Sequence, residues 1–544
     1  MTEARARDTI PSPAGPAAEP AATVPAGRRP APAASGPAGG GSQGLAWAAG
    51  VTAGLSVAGS VVGLVRDQTI AHLFGAGAES DAFLVAWTLP EVAATVLIED
   101  AMALLMVPAF SAALARGGAV PGLVRGTLPR LLAVLGVLTA VLVAGAPWVV
   151  RVLAPGLADP AEAVACTRLT AVSVLTFGLA GYLSAALRAH RRFVPPAAIY
   201  VAYNAGIIAT LLALHGRYGV LAAAAGVAVG GCLMVAVQLP SAIAELRGHR
   251  VPAGAPRAPH RTLALALLAP VVLFTLSRQA QVLVERFFAA PLPAGAISHL
   301  NYAQKVAQLP MALSVMICTV TFPAVSRALA EGDREKARER VERDLTLACV
   351  VVLTGTAYVI ACAPQLIYVL FQRGEFSADD TAATAAVMRV YALGLLGQSL
   401  VGTLIRPFFS AGRPTWYPAA SMAAGLLVTA VADAAAVGPW GAYGIAAGNA
   451  LGITVTAGLL LRGLGGHSIA VRVRTIAPGL TRTLLAAAVA TAAGWLVSTR
   501  VPGAFAATAA CGLAVPAVFT LAAFAVRVPE LPYLLATVTR KGRR

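Results

Sequence analysis

The stretch VVGLVRDQTIAHLFGAGAESDAFLVAW, Val61 to Trp87, sets Arg66, Asp67, His72, Glu79 and Asp81 at or inside the ends of two apolar runs. Each run is long enough to cross a bilayer. Charge at membrane depth is expensive and is met where it faces a watery cavity, a partner charge or a substrate. What surrounds this stretch therefore decides both the fold and the place of the chemistry.

The rest of the chain agrees with a membrane setting. Of its 544 residues 58% are hydrophobic and 12% charged, with a mean hydropathy of +0.75. A soluble domain carries roughly 25% charged residues, so too few are present to cover a water-facing surface. Scarce aromatics and abundant alanine suit close helix–helix approach, and the short alternating segments of a β-barrel are missing. An all-α polytopic membrane protein follows. The formal charge of +17 falls mostly in short loops, where topology requires it. No basic helix or aromatic-interleaved patch marks a nucleic-acid partner. The six cysteines lie in or beside apolar runs and the seven histidines are scattered, so no metal site assembles from their spacing.

At about 20 apolar residues per crossing the chain holds about fourteen spans. Residues 1–43 are rich in Pro, Ala and Gly and read as a disordered tail. Residues 44–245 form an N-lobe of spans one to six, 246–260 a basic linker, and 261–464 a C-lobe of spans seven to twelve. Two further spans occupy 465–528, and 529–544 is a basic tail. With the N-terminus inside, cytoplasmic segments hold about 30 basic residues against about six outside, which places both termini in the cytoplasm.

An internal repeat supports the two lobes. VPAFSAALARG (Val107–Gly117) is echoed by FPAVSRALAEG (Phe322–Gly332), and APWVVRVL (Ala146–Leu153) by APQLIYVL (Ala363–Leu370). Both pairs lie about 215 residues apart, six spans on, so the copies share one orientation. Two parallel six-helix bundles with a substrate route between them are the expected arrangement.

Basic residues fall inside spans at Arg168, Arg278, Lys305, Arg389 and Arg406, and acidic ones at Asp81, Glu91, Glu99, Asp100, Glu285 and Asp433. Lys305 lies about two turns into the eighth span, between Gln304 and Gln308, so that face lines a wet cavity or an ion pair. By the repeat, Arg66, Asp81, Glu99 and Lys305 are expected to converge between the bundles as a substrate-binding cavity. Cations there suit an anionic head group, above all a diphosphate. No phosphate-binding GxxxxGK[ST] loop appears and no soluble segment could house an enzyme site, which leaves transport without catalysis and without a bound cofactor. Thr429, Asp433 and Asn449 supply the oxygens of a candidate ion site; coupling to Na+, H+ or the membrane potential is the expectation, against a helix-end role for Asp433 near outer water.

The segments GLVRDQTIAHLFGAGAESDAF, TLPEVAATVLIEDAMALLMVPAFS, APWVVRVLAPGLAD, RRFVPPAAIYVAYN, NYAQKVAQLP and VLFQRGEFSADD resemble the lipid II flippase family MurJ/MviN. This family belongs to the superfamily of multidrug and oligosaccharidyl-lipid exporters. The resemblance runs in order from about residue 45 to about residue 465. It implies a fourteen-helix flippase that carries undecaprenyl-diphosphate-linked peptidoglycan precursor, lipid II, to the outer leaflet for cell-wall synthesis. Arg66, Asp81 and Glu99 then match cavity positions of the family, Lys305 stands at a diphosphate-binding arginine, and the last two spans form a lipid-tail groove. Partners beyond the lipid would be cell-wall synthesis or division proteins meeting the cytoplasmic tails.

The chain departs from the pattern in five places. Thr95 stands at about the position of a second-span arginine, Ser60 replaces another arginine, Lys305 replaces a third, and Glu91 and Asp100 add carboxylates. Lysine lacks the bidentate fork of arginine. Export of another polyprenyl-linked glycan or amphiphile, drug antiport through Asp433, and a non-transporting scaffold stay open beside the lipid II reading.

Overall fold

The structure is a computed structural model that describes residues 40–115, 120–247, 263–311, 314, 333–410, 415–467 and 473–528. Ala48–Arg544 form one compact unit. The expected tails over 1–43 and 529–544, the linker over 246–260 and the repeat partner Phe322–Gly332 fall wholly or largely outside the described residues.

All regular structure among the described residues is helical. The first half comprises α1 (Gly40–Phe74), α2 (Ala78–Ala94), a π-helical segment (Thr95–Ala101), α3 (Met102–Ala115), α4 (Val120–Ala144), α5 (Ala146–Leu153), α6 (Pro160–Ala189), α7 (Val194–Tyr218) and α8 (Leu221–Arg247). The second comprises α9 (Leu263–Ala289), α10 (Ala296–Ala307), α11 (Arg334–Ala361), α12 (Ala363–Phe371), α13 (Ala378–Ala392), α14 (Leu395–Ser410) and α15 (Tyr417–His467), with α16 (Val473–Arg500) and α17 (Ala504–Ala525) after it. Among the described residues nine helices are long and apolar enough to cross a membrane, or ten if the bent pair α13 and α14 is one span.

The repeat is visible in where helices start. α2, α5 and α6 recur as α10, α12 and α13 about 218 residues later. Their local devices recur too. A proline opens both α5 and α12. Asp159 caps α6 through the Glu162 amide, and Ser377 caps α13 through the Asp380 amide, each satisfying a backbone donor that the first turn leaves open.

Where the sequence reads two spans, α15 is one 51-residue element turned at Gly441, whose φ is +52°. Gly425 lies against Thr456, Thr429 against Gly452, and Asp433 against Gly448. The partners step by four in opposite directions, so α15 is a tight antiparallel hairpin with its polar side chains turned inward.

Small residues also bring α1 onto α7. A side chain at Gly59 would meet Tyr200 Cβ at 3.0 Å, and one at Gly63 would meet Asn204 Nδ2 at 3.3 Å. This close approach, of the kind that drives helix association in lipid, carries the next turn of α1, with Arg66 and Asp67, against α7.

The two halves share one apolar core, which covers the end where α2 meets α10. Ile70, Phe83 and Trp87 of the first half belong to the same buried cluster as Ile297, Leu300, Tyr302, Phe371 and Tyr391 of the second. That end of the seam is packed shut.

Candidate functional site

Beneath the packed end, α1, α2, α7 and α10 bring six polar or aromatic side chains together. Arg66 and Asp67 are 8% and 6% exposed. The Arg66 guanidinium donates to Asp67 Oδ1 through Nε at 3.1 Å and Nη2 at 2.7 Å, and to Asn204 Oδ1 through Nη1 at 2.8 Å. Asn204 is held by its own Nδ2 donating to the Gly59 carbonyl at 3.1 Å. From the second half, Lys305 Nζ reaches Asp67 Oδ2 at 3.2 Å while keeping a quarter of its side chain exposed.

Trp87 forms the floor. The Arg66 guanidinium carbon lies 4.3 Å and Lys305 Nζ 4.8 Å from its ring centroid, within the range in which the ring's negative face attracts cations. The indole is oriented by its Nε1 donating to the Tyr203 hydroxyl at 3.0 Å. Two cations from opposite halves thus converge on one carboxylate and one ring, with a net charge of plus one. A buried ion pair is costly to desolvate and to break, so Asp67 keeps the two cations tolerable at this depth.

Of the four expected cavity residues, Arg66 and Lys305 are brought together and the other two stand elsewhere. Asp81 accepts from Gly295 N at 2.7 Å, Ser298 N at 2.8 Å and Ser298 Oγ at 2.6 Å. α10 has no side-chain cap of its own, its N-cap being Gly295, and Asp81 caps it from the other half. A carboxylate at a helix N-terminus satisfies open amides and meets the positive end of the dipole. Ser80 Oγ adds a bond to Ser298 Oγ at 2.9 Å, and Glu375 N donates to the His72 carbonyl at 3.0 Å. Side chains at Gly75, Gly295 or Gly374 would strike the backbone of Glu375, Ala76 or His72, and all three glycines have positive φ. Asp81 is therefore part of the closure at the packed end. Glu99 is exposed on the π-helical segment, where it accepts from the Tyr200 hydroxyl at 2.7 Å.

A second polar centre lies inside the second half. Glu285 of α9, 2% exposed, accepts from the Tyr391 hydroxyl at 2.8 Å and from Asn449 Nδ2. Asp433, fully buried on α15, has both carboxylate oxygens without a partner among the described residues, as has Asn449 Oδ1. Thr429 lies one turn from Asp433 and donates to the Gly425 carbonyl at 3.2 Å. Thr429, Asp433 and Asn449 lie on the one hairpin, Glu285 is bonded to Asn449, and Asp433 is fully buried where the sequence left open a helix-end role near water. No cluster of three His, Cys, Asp or Glu suited to a metal occurs among the described residues.

In the sequence Asp67 stands among the charges at membrane depth, while Trp87, Tyr203 and Asn204 carry no signal of a role. Arg286 carries none either. It is 3% exposed and bonds Thr88 Oγ1 at 3.4 Å, the Ile297 carbonyl at 3.3 Å and Asn301 Oδ1 at 3.1 Å, tying the halves together beside Trp87.

Two repeated helical halves around a polar seam define the class, a multi-pass membrane transporter of the multidrug and lipid-exporter fold. A solved multidrug resistance MATE family transporter of the MOP superfamily, in its inward-facing conformation, superposes with a TM-score of 0.59 at 15% identity, over 80% of this chain and 99% of that one. A structure described as "Lipid II flippase MurJ, inward closed conformation" gives 0.71 at 19% identity, over 87% and 98%.

Residues 70–514 match the family model "Lipid II flippase MurJ", and the chain belongs to that family. Among similar proteins are the lipid II flippase MurJ of Burkholderia cenocepacia, 29% identical over 76% of this chain and 82% of its own length. The probable lipid II flippase MurJ of Rhizobium meliloti is 27% identical over 90% and 95%.

Proposed function

We propose that this chain moves lipid II, a polyprenyl-diphosphate-linked peptidoglycan precursor, from the inner to the outer leaflet, with Arg66 and Lys305 as its diphosphate-binding pair. The observation that carries this reading is the convergence of those two cations, one from each half, on Asp67 and Trp87. A diphosphate arriving in the seam offers more negative charge than the single Asp67 carboxylate, and the Arg66 fork suits two of its oxygens. Binding would exchange one internal anion for the substrate and draw the two halves together around it.

Alternating access then requires the packed end to part. The bonds of Asp81 to Gly295 and Ser298 break in that step, and the apolar contacts around Tyr302 and Phe371 separate. Both termini face the cytoplasm in this reading, by the charge bias of the loops, and their tails are the segments available to cell-wall synthesis or division proteins. The polyprenyl tail runs along α16 and α17.

Energy for the cycle enters at the second centre. An unpaired carboxylate inside a membrane protein is retained where it takes a proton or an ion. Asp433, Thr429, Asn449 and Glu285 offer oxygen ligands for a monovalent cation such as Na+, or a site for a carried proton, one bundle away from the substrate.

The test is complementation. Cells depleted of their own lipid II flippase and expressing this chain should regain lipid II in the outer leaflet, and Lys305→Ala should abolish the rescue. Correct insertion without rescue would reject the proposed substrate.

A further inference from the structure

The second span of this chain lacks a basic residue where the family resemblance expects one, at Thr95. α9 carries a cation on the other side of the seam. At 100° per residue, Leu273, Leu276 and Phe287 share one stripe of α9, and all three are exposed; on a spanning helix such a stripe faces lipid. Phe274, Thr275, Ser277, Gln281, Glu285 and Arg286 fall away from that stripe and are buried. Arg278 lies roughly 180° from its centre, yet Arg278 is exposed.

An exposed arginine on the protein-facing side of a spanning helix needs an open, wet space before it. Its depth excludes the bland alternative. Arg278 is about 22 Å of helix from Leu263 and about 16 Å from Ala289, too far from either end to snorkel to an interface.

Its surroundings place that space at the seam. Arg278 is within electrostatic reach of Asp100, and Thr275, on the adjacent turn, hydrogen-bonds the Asp100 carboxylate. Asp100 sits on the same π-helical segment as Thr95 and Glu99. Thr95 in turn donates to the Glu91 carbonyl, and Glu91 is within electrostatic reach of Arg66. The second span thus runs from Glu91, within reach of Arg66, past Thr95 to Asp100, within reach of Arg278. Along α9, Arg278 is about 12 Å from Arg286, whose bond to Thr88 marks the level of Trp87.

We propose that Arg278 is a substrate-contacting cation of the seam, which takes an anionic oxygen of the lipid-linked head group in place of the second-span arginine that Thr95 does not supply. This rests on the lipid II reading. The anionic oxygen belongs either to the diphosphate or to a carboxylate of the peptide, and at this depth Arg278 meets the head group before Arg66 and Lys305 do. Asp100, an added carboxylate, keeps Arg278 balanced while the seam is empty.

The experiment measures binding to the full chain in nanodiscs with two probes: a short-chain lipid II carrying disaccharide and pentapeptide, and the same short-chain polyprenyl diphosphate without them. Arg278→Gln should weaken short-chain lipid II by about tenfold, as expected for one charge-assisted contact, and Arg278→Lys should lose less. Weakening of both probes assigns the contact to the diphosphate, and weakening of the first alone assigns it to the peptide. The decisive variant adds Thr95→Arg to Arg278→Gln. Recovery of binding shows that the two positions supply one cation from opposite walls. If instead Asp100→Asn restores binding to Arg278→Gln and Thr95→Arg does not, Arg278 merely neutralises Asp100 and the proposal falls. Equal binding by wild type and Arg278→Gln also overturns it, whereas absence of wild-type binding to either probe rejects the substrate reading itself.

Discussion

Asp81 accepts both the backbone and the side-chain hydrogen of Ser298, at 2.8 and 2.6 Å, although 217 residues separate them. One carboxylate thereby caps a helix of the opposite half and holds the packed end shut. Asp81→Asn keeps the shape and removes the charge. At about 2 kcal/mol for the charge-assisted bonds lost, the closed-to-open ratio should fall about 30-fold. Reaction of a cysteine placed at Ala76 with a membrane-impermeant thiol reagent should accelerate accordingly; an unchanged rate would show that the apolar core alone closes this end.

Asp67 is the counter-ion of both seam cations, so Asp67→Asn should act oppositely on the empty and loaded protein. Losing one partner of a buried ion pair costs about 3–5 kcal/mol, and the empty protein should melt earlier. A diphosphate ligand then has no internal rival, and the melting shift produced by short-chain polyprenyl diphosphate should exceed that of wild type while lipid II flipping slows. A smaller ligand-induced shift would mean that Asp67 assists the ligand instead of holding its place.

Gly63 sets the approach of α1 to Asn204. Gly63→Leu should push the helices apart, break the Arg66–Asn204 bond and abolish complementation with the chain still inserted. Gly54→Leu, where a side chain meets nothing within 4 Å, is the control and should be neutral. Equal effects of the two would trace the loss to hydrophobicity or expression.

Asp433 should confer ion dependence. Sodium should raise the wild-type melting temperature above that in potassium, by an increment growing with the logarithm of concentration, and Asp433→Asn should erase the difference. Equal melting of wild type in both salts, with transport following pH, would assign the site to a proton.

The helices were legible because the length and apolarity of a run report a crossing without knowledge of its neighbours. The two-fold repeat was legible because APWVVRVL and APQLIYVL each hold a proline-started short helix at the same point of a half. Arg66 and Lys305 stood out as charges at membrane depth, and Thr429, Asp433 and Asn449 could be grouped in sequence because all three lie on one hairpin. Asp67 was visible but mute, since its role depends on a lysine 238 residues away. Glu285 and Arg286, adjacent on α9, serve different centres because a helix turns neighbouring side chains to different faces.

Amino-acid sequence by itself determined that this chain is a helical membrane protein, that its halves repeat, and that cations lie where lipid would otherwise be. These are properties of composition and period, which need no partner to be read. Tertiary structure decided that Asp81 caps α10 from the opposite half, that Trp87 lies under both cations and that Arg278 is exposed on the side of α9 away from its lipid-facing stripe. Each depends on which helix face meets which, and that is set by packing between residues far apart in the chain.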